Sequence, residues 1–156
     1  MLADHTAAHQ DPGAPRLLVI DDDVIQRTII AKLGMQTGYD SAGAASFAEA
    51  KTLLAQQKFD CITLDLSLGE DSGVLLLSAM VASDNRVPII IISGAEQHIL
   101  NSTMKIAQSL GLDSQLLNKP LKLAELRQAL AQKREGIVAR RGINRHYQLM
   151  RGGAGD

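Results

Sequence analysis

Four short apolar runs constrain the fold of this chain more than any other feature of its 156 residues. In chain order they are RLLVI (16–20), DCITLDL (60–66), VPIIIIS (87–93) and SQLLN (114–118). A weaker run, YDSAGAA from Tyr39, fits a fifth strand nearer an edge of the sheet. The runs are continuous rather than alternating, which is typical of parallel strands covered on both faces.

Segments with helical periodicity separate these runs. The segment after the first run predicts a helix that stops at a glycine and has one apolar stripe: Ile25, Ile29, Ile30 and Leu33. The next segment opens with Ser46 and Glu49 at capping-box spacing. The last segment places three leucines on one face: Leu123, Leu126 and Leu130. Strands and helices that alternate five times predict an α/β fold, a doubly wound five-stranded parallel sheet with helices on both faces.

Chemically useful side chains follow the strands of this predicted sheet. Asp21, Asp22 and Asp23 end the first strand, and Asp65 ends the third. Ser93 ends the fourth strand and Lys119 follows the fifth. Because ligands of doubly wound sheets bind outside the carboxyl ends of the strands, we expect these groups to converge at one edge.

The residue types indicate phosphate chemistry. Several carboxylates together are hard oxygen ligands suited to Mg²⁺, which also binds phosphate oxygens. A carboxylate can act as a nucleophile at phosphorus and form an aspartyl phosphate. A lysine and a hydroxyl can then compensate the charge of the new phosphoryl group.

With these motifs in place, the chain resembles the response-regulator receiver domains of two-component signalling, with a single-domain architecture similar to that of chemotaxis regulators. The resemblance runs from about Arg16 to Gln132 and rests on LVIDDD, LDLSLGEDSG, IIISGA and NKPL. It implies the flavodoxin-like receiver fold and a cis bond between Lys119 and Pro120. It also implies the following roles: Mg²⁺ bound by Asp21, Asp22, Asp65 and the backbone carbonyl of Ser67, phosphorylation on Asp65, and phosphoryl contacts from Ser93 and Lys119. Asp23 is not a motif position, and its reading as a helix cap or solvated acid is favoured over that of a metal ligand.

The sequence departs from the family pattern at several positions. Gly69 stands where proline is usual, so the loop after Asp65 should be looser, while Gly73 keeps the usual turn. Leu116 replaces the aromatic residue that normally moves inward when the hydroxyl residue approaches the phosphate. Ser67 and Ala95 flank the site where larger polar residues often tune the lifetime of the phosphate.

Two other interpretations stay open on the residues alone. A haloacid-dehalogenase-type phosphatase would use Asp21 as its nucleophile, in a D-x-D pattern with Asp23. That family needs an acidic pair on a strand after the lysine, whereas only Glu125 and Glu135 follow here before the C-terminal residue, both in helical context. A degenerate receiver that acts as an interaction module without phosphorylation is the second.

Composition and charge set the remaining expectations. The single cysteine, Cys61, excludes an internal disulfide and is expected to be a core residue in a reducing cytoplasm. No apolar run approaches the ~18 residues of a membrane span. Residues 1–132 carry 10 basic and 15 acidic side chains, a net charge of −5, whereas residues 133–156 carry 6 and 2, a net charge of +4. We therefore expect a flexible segment (1–15), a receiver domain (16–132) and a basic C-terminal extension (133–156) without an output domain.

The partners follow from the resemblance and the tail. A sensor histidine kinase or a histidine phosphotransfer protein is expected to supply the phosphoryl group, and a downstream protein to read the response. The basic tail could extend the last helix as a solvated segment, or dock on an acidic partner or a second copy, which allows a homodimer. The acidic body and the 3% aromatic content weigh against nucleic-acid binding.

Overall fold

The computed structural model describes residues 13–68, 72–94 and 97–154. Its strands are β1 (Arg16–Ile20), β2 (Asp40–Ala44), β3 (Cys61–Asp65), β4 (Ile89–Ser93) and β5 (Ser114–Asn118). Its α-helices in these ranges are α1 (Val24–Gln36), α2 (Phe47–Gln56), α3 (Ser72–Ala82), α4 (Gln97–Ser109) and α5 (Leu123–Ala154), and a short 3₁₀ helix spans Leu66–Leu68. The predicted alternation of strands and helices is confirmed.

The five strands are all parallel and lie in the order β2-β1-β3-β4-β5. The direction of the chain across the sheet reverses between β1 and β3, which makes this boundary the topological switch point. The register pairs Ile20 with Leu64, Asp65 with Ile92, and Ser93 with Asn118. The carboxyl ends of these strands therefore lie at one edge, as predicted.

Both faces of the sheet are buried, which explains why its strands are continuous apolar runs. On one face, side chains such as Ile62 and Ile91 pack against α2, α3 and α4. On the other face, side chains such as Leu17 and Ile90 pack against α1 and α5. Cys61 is a fully buried free thiol on this second face, which confirms its prediction as a core residue, and burial raises its pKa to about 12.

The predicted apolar stripe of α1 is wrong in half of its members. Ile30 and Leu33 are buried, but Ile25 is 69% exposed and Ile29 is 43% exposed. The helix faces the sheet through Ile30, Leu33 and Gly34, and a Cβ on Gly34 would lie only 2.6 Å from Leu17 Cδ2. Ile29 is about 100° around the helix from Ile30 and so points away from the sheet.

The last helix also differs from its prediction at its first leucine. Leu126 and Leu130 are buried, whereas Leu123, the first residue of α5, is exposed. The helix continues well past residue 132 and keeps contact with the body of the domain there. Lys133 Nζ lies 2.9 Å from Asp113 Oδ1, and Ile137 is buried against the sheet face that α1 also covers.

Candidate functional site

Asp21 continues β1 into the carboxyl edge of the sheet and is fully buried. Its backbone N–H donates to Ala44 O at 3.0 Å, which fixes the residue beside the end of β2. Its carboxylate accepts two hydrogen bonds, from Asp23 N to Oδ1 at 2.9 Å and from Gln26 Nε2 to Oδ2. Asp22, by contrast, is exposed.

Asp23 is the N-cap of α1, which confirms that interpretation of the third aspartate. Its Oδ1 accepts hydrogen bonds from Ile25 N at 2.9 Å and from Gln26 N at 3.4 Å. This carboxylate thus satisfies helix N–H groups that have no partner within the helix. The predicted cap at Ser46 is also confirmed, although Glu49 Oε2 accepts from Ala45 N rather than from Ser46 N.

Asp65 is the last residue of β3 and is 1% exposed. Its Oδ1 accepts a hydrogen bond from Ser67 N at 2.9 Å. Its Oδ2 accepts from Lys119 Nζ at 2.8 Å and from Gln26 Nε2 at 3.0 Å. The carboxylate is therefore held by donors from three parts of the chain.

Asp21, Asp22 and Asp65 form one acidic cluster. A carboxylate oxygen from each lies within 4.8 Å of the others. The fold thus brings Asp65 to Asp21 and Asp22, from which it is distant in sequence. Three carboxylates at such distances are a hard oxygen donor set, which fits the coordination preferences of Mg²⁺. The three carboxylates outnumber the cations beside them, Lys119 at Asp65 and Arg27 at the Asp21 carbonyl, so the cluster keeps an excess of negative charge that a dication would neutralise.

The two buried carboxylates differ in acidity. Burial raises the pKa of Asp21, against the hydrogen bonds from Asp23 and Gln26, and the nearby charge of Asp65 raises it further. Burial also acts to raise the pKa of Asp65, but the hydrogen bonds from Lys119 and Ser67 outweigh it, and the pKa lies below its ordinary value. Asp65 is consequently an ionised carboxylate at neutral pH.

Ser93 and Lys119 complete the same edge of the sheet. Ser93 is the buried last residue of β4, and its carbonyl accepts a hydrogen bond from Lys119 N at 3.0 Å. Lys119 follows β5 and is joined to Pro120 by a cis peptide bond, as predicted. The structure thus brings together the side chains that the sequence singled out, while the chemical roles assigned to them remain predictions.

Two residues of the site were missed by the sequence analysis. Gln26 joins Asp21 to Asp65 through its amide, and Arg27 Nη1 donates to Asp21 O at 2.7 Å. Both lie in the first turn of α1, which starts directly at the acidic pair. Their position there was the available signal, because the start of that helix has to face the strand ends.

The departures from the family pattern are only partly within the described residues. Gly69 and Ala95 lie outside them, and the carbonyl of Ser67 stays a predicted ligand. Gly73 lies in the first turn of α3, where a Cβ would come 2.9 Å from Leu66 Cδ2 and 3.1 Å from Thr103 Cγ2. The space for a side chain is therefore missing at this position. Leu116 is partly buried and packs against the core on the α3 and α4 face.

The family model for the response regulator receiver domain matches residues 17–131. The chain belongs to this family. Receiver domains are signalling modules of two-component systems, and the acidic cluster is of the kind at which they bind Mg²⁺. This membership, with Asp23 engaged as a helix cap, argues against the phosphatase interpretation, which needs Asp23 beside a nucleophilic Asp21.

Curated relatives resemble the chain through part of their length. The alginate biosynthesis transcriptional regulatory protein AlgB of Pseudomonas putida is 36% identical over 126 residues, which are 81% of this chain and 27% of that protein. The regulatory protein VirG of Agrobacterium fabrum is 36% identical over 93 residues, which are 56% of this chain and 36% of VirG. The chain therefore spans only about a third of the length of these relatives.

Solved receiver structures have the same fold. A response regulator receiver protein from Pseudomonas putida has a TM-score of 0.65 at 28% identity, with 78% of this chain and 98% of that chain covered. A response regulator from Burkholderia pseudomallei has a TM-score of 0.61 at 26% identity, with 83% and 74% covered, and its structure holds a phosphorylated aspartic acid and a calcium ion. Among the described residues of this chain, no helix is both long and apolar enough to cross a bilayer.

Proposed function

We propose that this receiver accepts a phosphoryl group on Asp65 from a phosphohistidine of a sensor histidine kinase or a histidine phosphotransfer protein. The observation that carries this proposal is the state of Asp65, a buried and ionised carboxylate held by Lys119 inside a cluster of oxygen ligands. A phosphorylated aspartic acid with a divalent ion in the Burkholderia pseudomallei relative is consistent with it.

The residues of the cluster divide the chemistry between them. Asp21, Asp22, Asp65 and the carbonyl of Ser67 would hold Mg²⁺, which when bound would neutralise charge on the carboxylates and on the phosphoryl oxygens. An oxygen of Asp65 attacks phosphorus, a P–O bond forms as the P–N bond breaks, and the donor imidazole leaves with the electrons of that bond. Lys119 already lies 2.8 Å from Asp65 Oδ2 and follows the new negative charge onto the phosphoryl group.

The added charge at Asp65 is the signal. It draws Lys119 and Ser93 toward the phosphoryl group, and the surface formed by α4, β5 and α5 shifts between two packings. Leu116 lies in β5 without the aromatic ring that usually accompanies this shift, so the movement of Lys119 and Ser93 has to be transmitted by aliphatic packing. The exposed side chains of Val24 and Ile25 beside the site offer a protein donor an apolar surface.

Intact-protein mass spectrometry tests the proposal. After incubation with Mg²⁺ and a small acyl-phosphate donor, we expect the wild type to gain one phosphoryl group and Asp65→Asn to gain none. EDTA should abolish the gain in the wild type, because the cluster then keeps its repulsion toward the phosphoryl oxygens. Asp84→Asn is the matched control, since Asp84 has a 95% exposed side chain and follows α3, away from the carboxyl ends of the strands.

Three outcomes would contradict the proposal. A phosphoryl gain in Asp65→Asn equal to that of the wild type would place the acceptor elsewhere. Release of free phosphate that needs Asp21 but not Asp65 would restore the phosphatase. A wild type that is phosphorylated neither by the small donor nor by a phosphorylated histidine kinase would be a degenerate receiver that acts as an interaction module.

A further inference from the structure

The side chain of Gln26 lies between the two buried carboxylates of the site. Its Nε2 donates to Asp65 Oδ2 at 3.0 Å and also to Asp21 Oδ2. Gln26 is held in this position by its place in the first turn of α1, where its backbone N–H also donates to the capping Asp23. One amide group thus joins the acid that follows β1 to the acid that ends β3.

An amide can relieve the repulsion between carboxylates without neutralising them. The NH₂ group has two N–H donors, one for each carboxylate, but no net charge. Hydrogen bonds to ionised acceptors are stronger than those between neutral groups, so these two contacts stabilise the acidic cluster. The three carboxylates still outnumber Lys119 and Arg27, the cations beside them, so the attraction of the cluster for a dication remains.

The amide lies where a cation between the two acids would bind. Gln26 Nε2 contacts Oδ2 of both Asp21 and Asp65, and lies 3.0 Å from the latter. Asp65 Oδ2 also accepts from Lys119, so two donors already share this oxygen. A cation that bridges the two Oδ2 atoms therefore competes with Nε2 for these oxygens, and the amide has to move away before such a cation binds.

We propose that Gln26 is a positioning residue that holds the metal-free site together and must withdraw before Mg²⁺ binds. In the metal-free protein the amide bridges the two carboxylates that the cation would otherwise bridge. Because Mg²⁺ has to displace the amide, the presence of Gln26 lowers the affinity for Mg²⁺. Gln26 thereby sets the concentration of Mg²⁺ at which Asp65 becomes ready to accept a phosphoryl group. The inference rests on the proposed function, since it requires Mg²⁺ to bind at Asp21 and Asp65.

The test compares Gln26→Met with the wild type, because methionine has a similar length and no N–H donor. Titration calorimetry with Mg²⁺ should give a Kd for Gln26→Met that is lower by about tenfold, the equivalent of roughly 1.4 kcal/mol of lost competition. The melting temperature should fall in EDTA, where the carboxylates lose their shared donor. It should rise more on addition of Mg²⁺ than in the wild type, since a ligand stabilises the state that binds it more tightly.

Gln36→Met is the matched control, since it makes the same substitution at an exposed position of the same helix. We expect its Kd for Mg²⁺ and its response to EDTA to equal those of the wild type. Gln26→Ala provides a second variant in case methionine does not fit the site, and it should also bind Mg²⁺ more tightly.

Several results would overturn the inference. An unchanged Kd, with a melting temperature that falls equally in EDTA and in Mg²⁺, would show that Gln26 only fills space. A weaker Kd in both variants would show that the amide oxygen is itself a metal ligand. These results leave the proposed function intact as long as the wild type binds Mg²⁺ and is phosphorylated on Asp65. If neither the wild type nor the variants bind Mg²⁺, both the inference and the Mg²⁺-dependent function fail.

Discussion

The two ends of the sheet hold their charged residues in opposite arrangements. At the carboxyl end, Asp21, Asp22 and Asp65 place three like charges within 4.8 Å. At the amino end, charges of opposite sign are paired, and Asp60 lies 2.8 Å from Arg141 of α5. Like charges destabilise the folded state until a cation binds between them, whereas paired charges stabilise it without a ligand. The first arrangement serves function and the second serves the fold.

The amino end attaches the long last helix to the sheet. Asp60 precedes β3, and its Oδ2 accepts hydrogen bonds from Arg16 N of β1 and from Arg141 Nη2, both at 2.8 Å. Lys133 and Asp113 form a second link, at 2.9 Å, between α5 and the segment before β5. These contacts extend the packing of α5 beyond the region matched by the family model, which ends at residue 131.

The largest effect on stability is expected where this pairing is broken. Asp60→Ala removes the acceptor of both Arg16 N–H and the Arg141 guanidinium, and hydrogen bonds to charged groups contribute about 1.5–3 kcal/mol. We expect the free energy of unfolding in urea to fall by about 2 kcal/mol with an unchanged m-value. High salt should reduce the difference between variant and wild type, because it screens the ion pair.

Asp84→Asn is the control for the Asp60 substitution. Asp84 has a 95% exposed side chain that approaches Arg86 at 3.8 Å, and asparagine tolerates its left-handed backbone (φ 55°), so the loss of the charge should change stability by less than about 0.5 kcal/mol. Equal effects of Asp60→Ala and Asp84→Asn would mean that the amino end is not held by its charges.

At the carboxyl end, removal of a charge should have the opposite sign. Asp21→Asn relieves the repulsion with Asp65 and the burial of a charged group, while the asparagine oxygen still accepts from Asp23 N and Gln26 still donates to Asp65. We therefore expect the metal-free protein to gain about 1 kcal/mol. The same variant should lose the stabilisation by Mg²⁺, because a ligand has been removed. Urea unfolding in EDTA and in Mg²⁺ measures both changes.

The pH dependence of Asp21→Asn sharpens this test. Because the pKa of Asp21 is raised, the folded protein keeps a proton that the unfolded chain releases above about pH 3.8, and stability falls as the pH rises through this window. The lowered pKa of Asp65 gives the reverse, a stabilisation that is lost as the pH falls below 3.8. In EDTA the stability of the variant should no longer fall as the pH rises above 3.8, but should still fall as the pH drops below 3.8. A variant less stable than the wild type at every pH would contradict the like-charge account.

The side chains that meet at the carboxyl end of the sheet could be predicted from sequence, because the topology alone determines which residues lie there. Once continuous apolar runs indicate a parallel sheet, the residues that follow β1, β3, β4 and β5 must meet at one edge. The predicted strand at 60–66 differs from β3 by only a residue at each end, so Asp65 falls at the strand end in both. The convergence of Asp21, Asp65 and Lys119 follows from strand order and needs no knowledge of side-chain packing.

Contacts made by helices could not be predicted in the same way. Helix α1 has apolar residues on several sides, so its sequence does not indicate that Ile30 rather than Ile25 faces the sheet. Gln26 reaches Asp65 across 39 residues, and Arg141 reaches Asp60 across 81. Such contacts depend on the rotation of one helix against the sheet, which no local pattern of a single sequence encodes.

The last prediction, smaller than that for Asp60, concerns a neutral contact at the amino end. The hydroxyl of Tyr39, just before β2, donates to Leu130 O of α5 at 2.7 Å, and the side chain is buried. Tyr39→Phe removes this bond without a cavity, while Leu130 O keeps its position inside a helix that supplies another donor. We expect a loss of about 1 kcal/mol near neutral pH, measured by urea unfolding and less than that of Asp60→Ala.

Alkaline pH distinguishes the hydroxyl from the ring. Burial raises the pKa of Tyr39 well above its ordinary value of 10.0, so the unfolded chain releases its proton near pH 10 while the folded protein retains it. Stability must then fall as the pH rises above about 10, because the folded state binds more protons in that range. Tyr39→Phe should have a shallower alkaline decline than the wild type, so that the two free energies converge with rising pH. If stability instead declines equally with pH in the variant and the wild type, the Tyr39 hydroxyl is not buried against Leu130 O. Helix α5 would then be held at the amino end by its charged pairs and apolar packing alone.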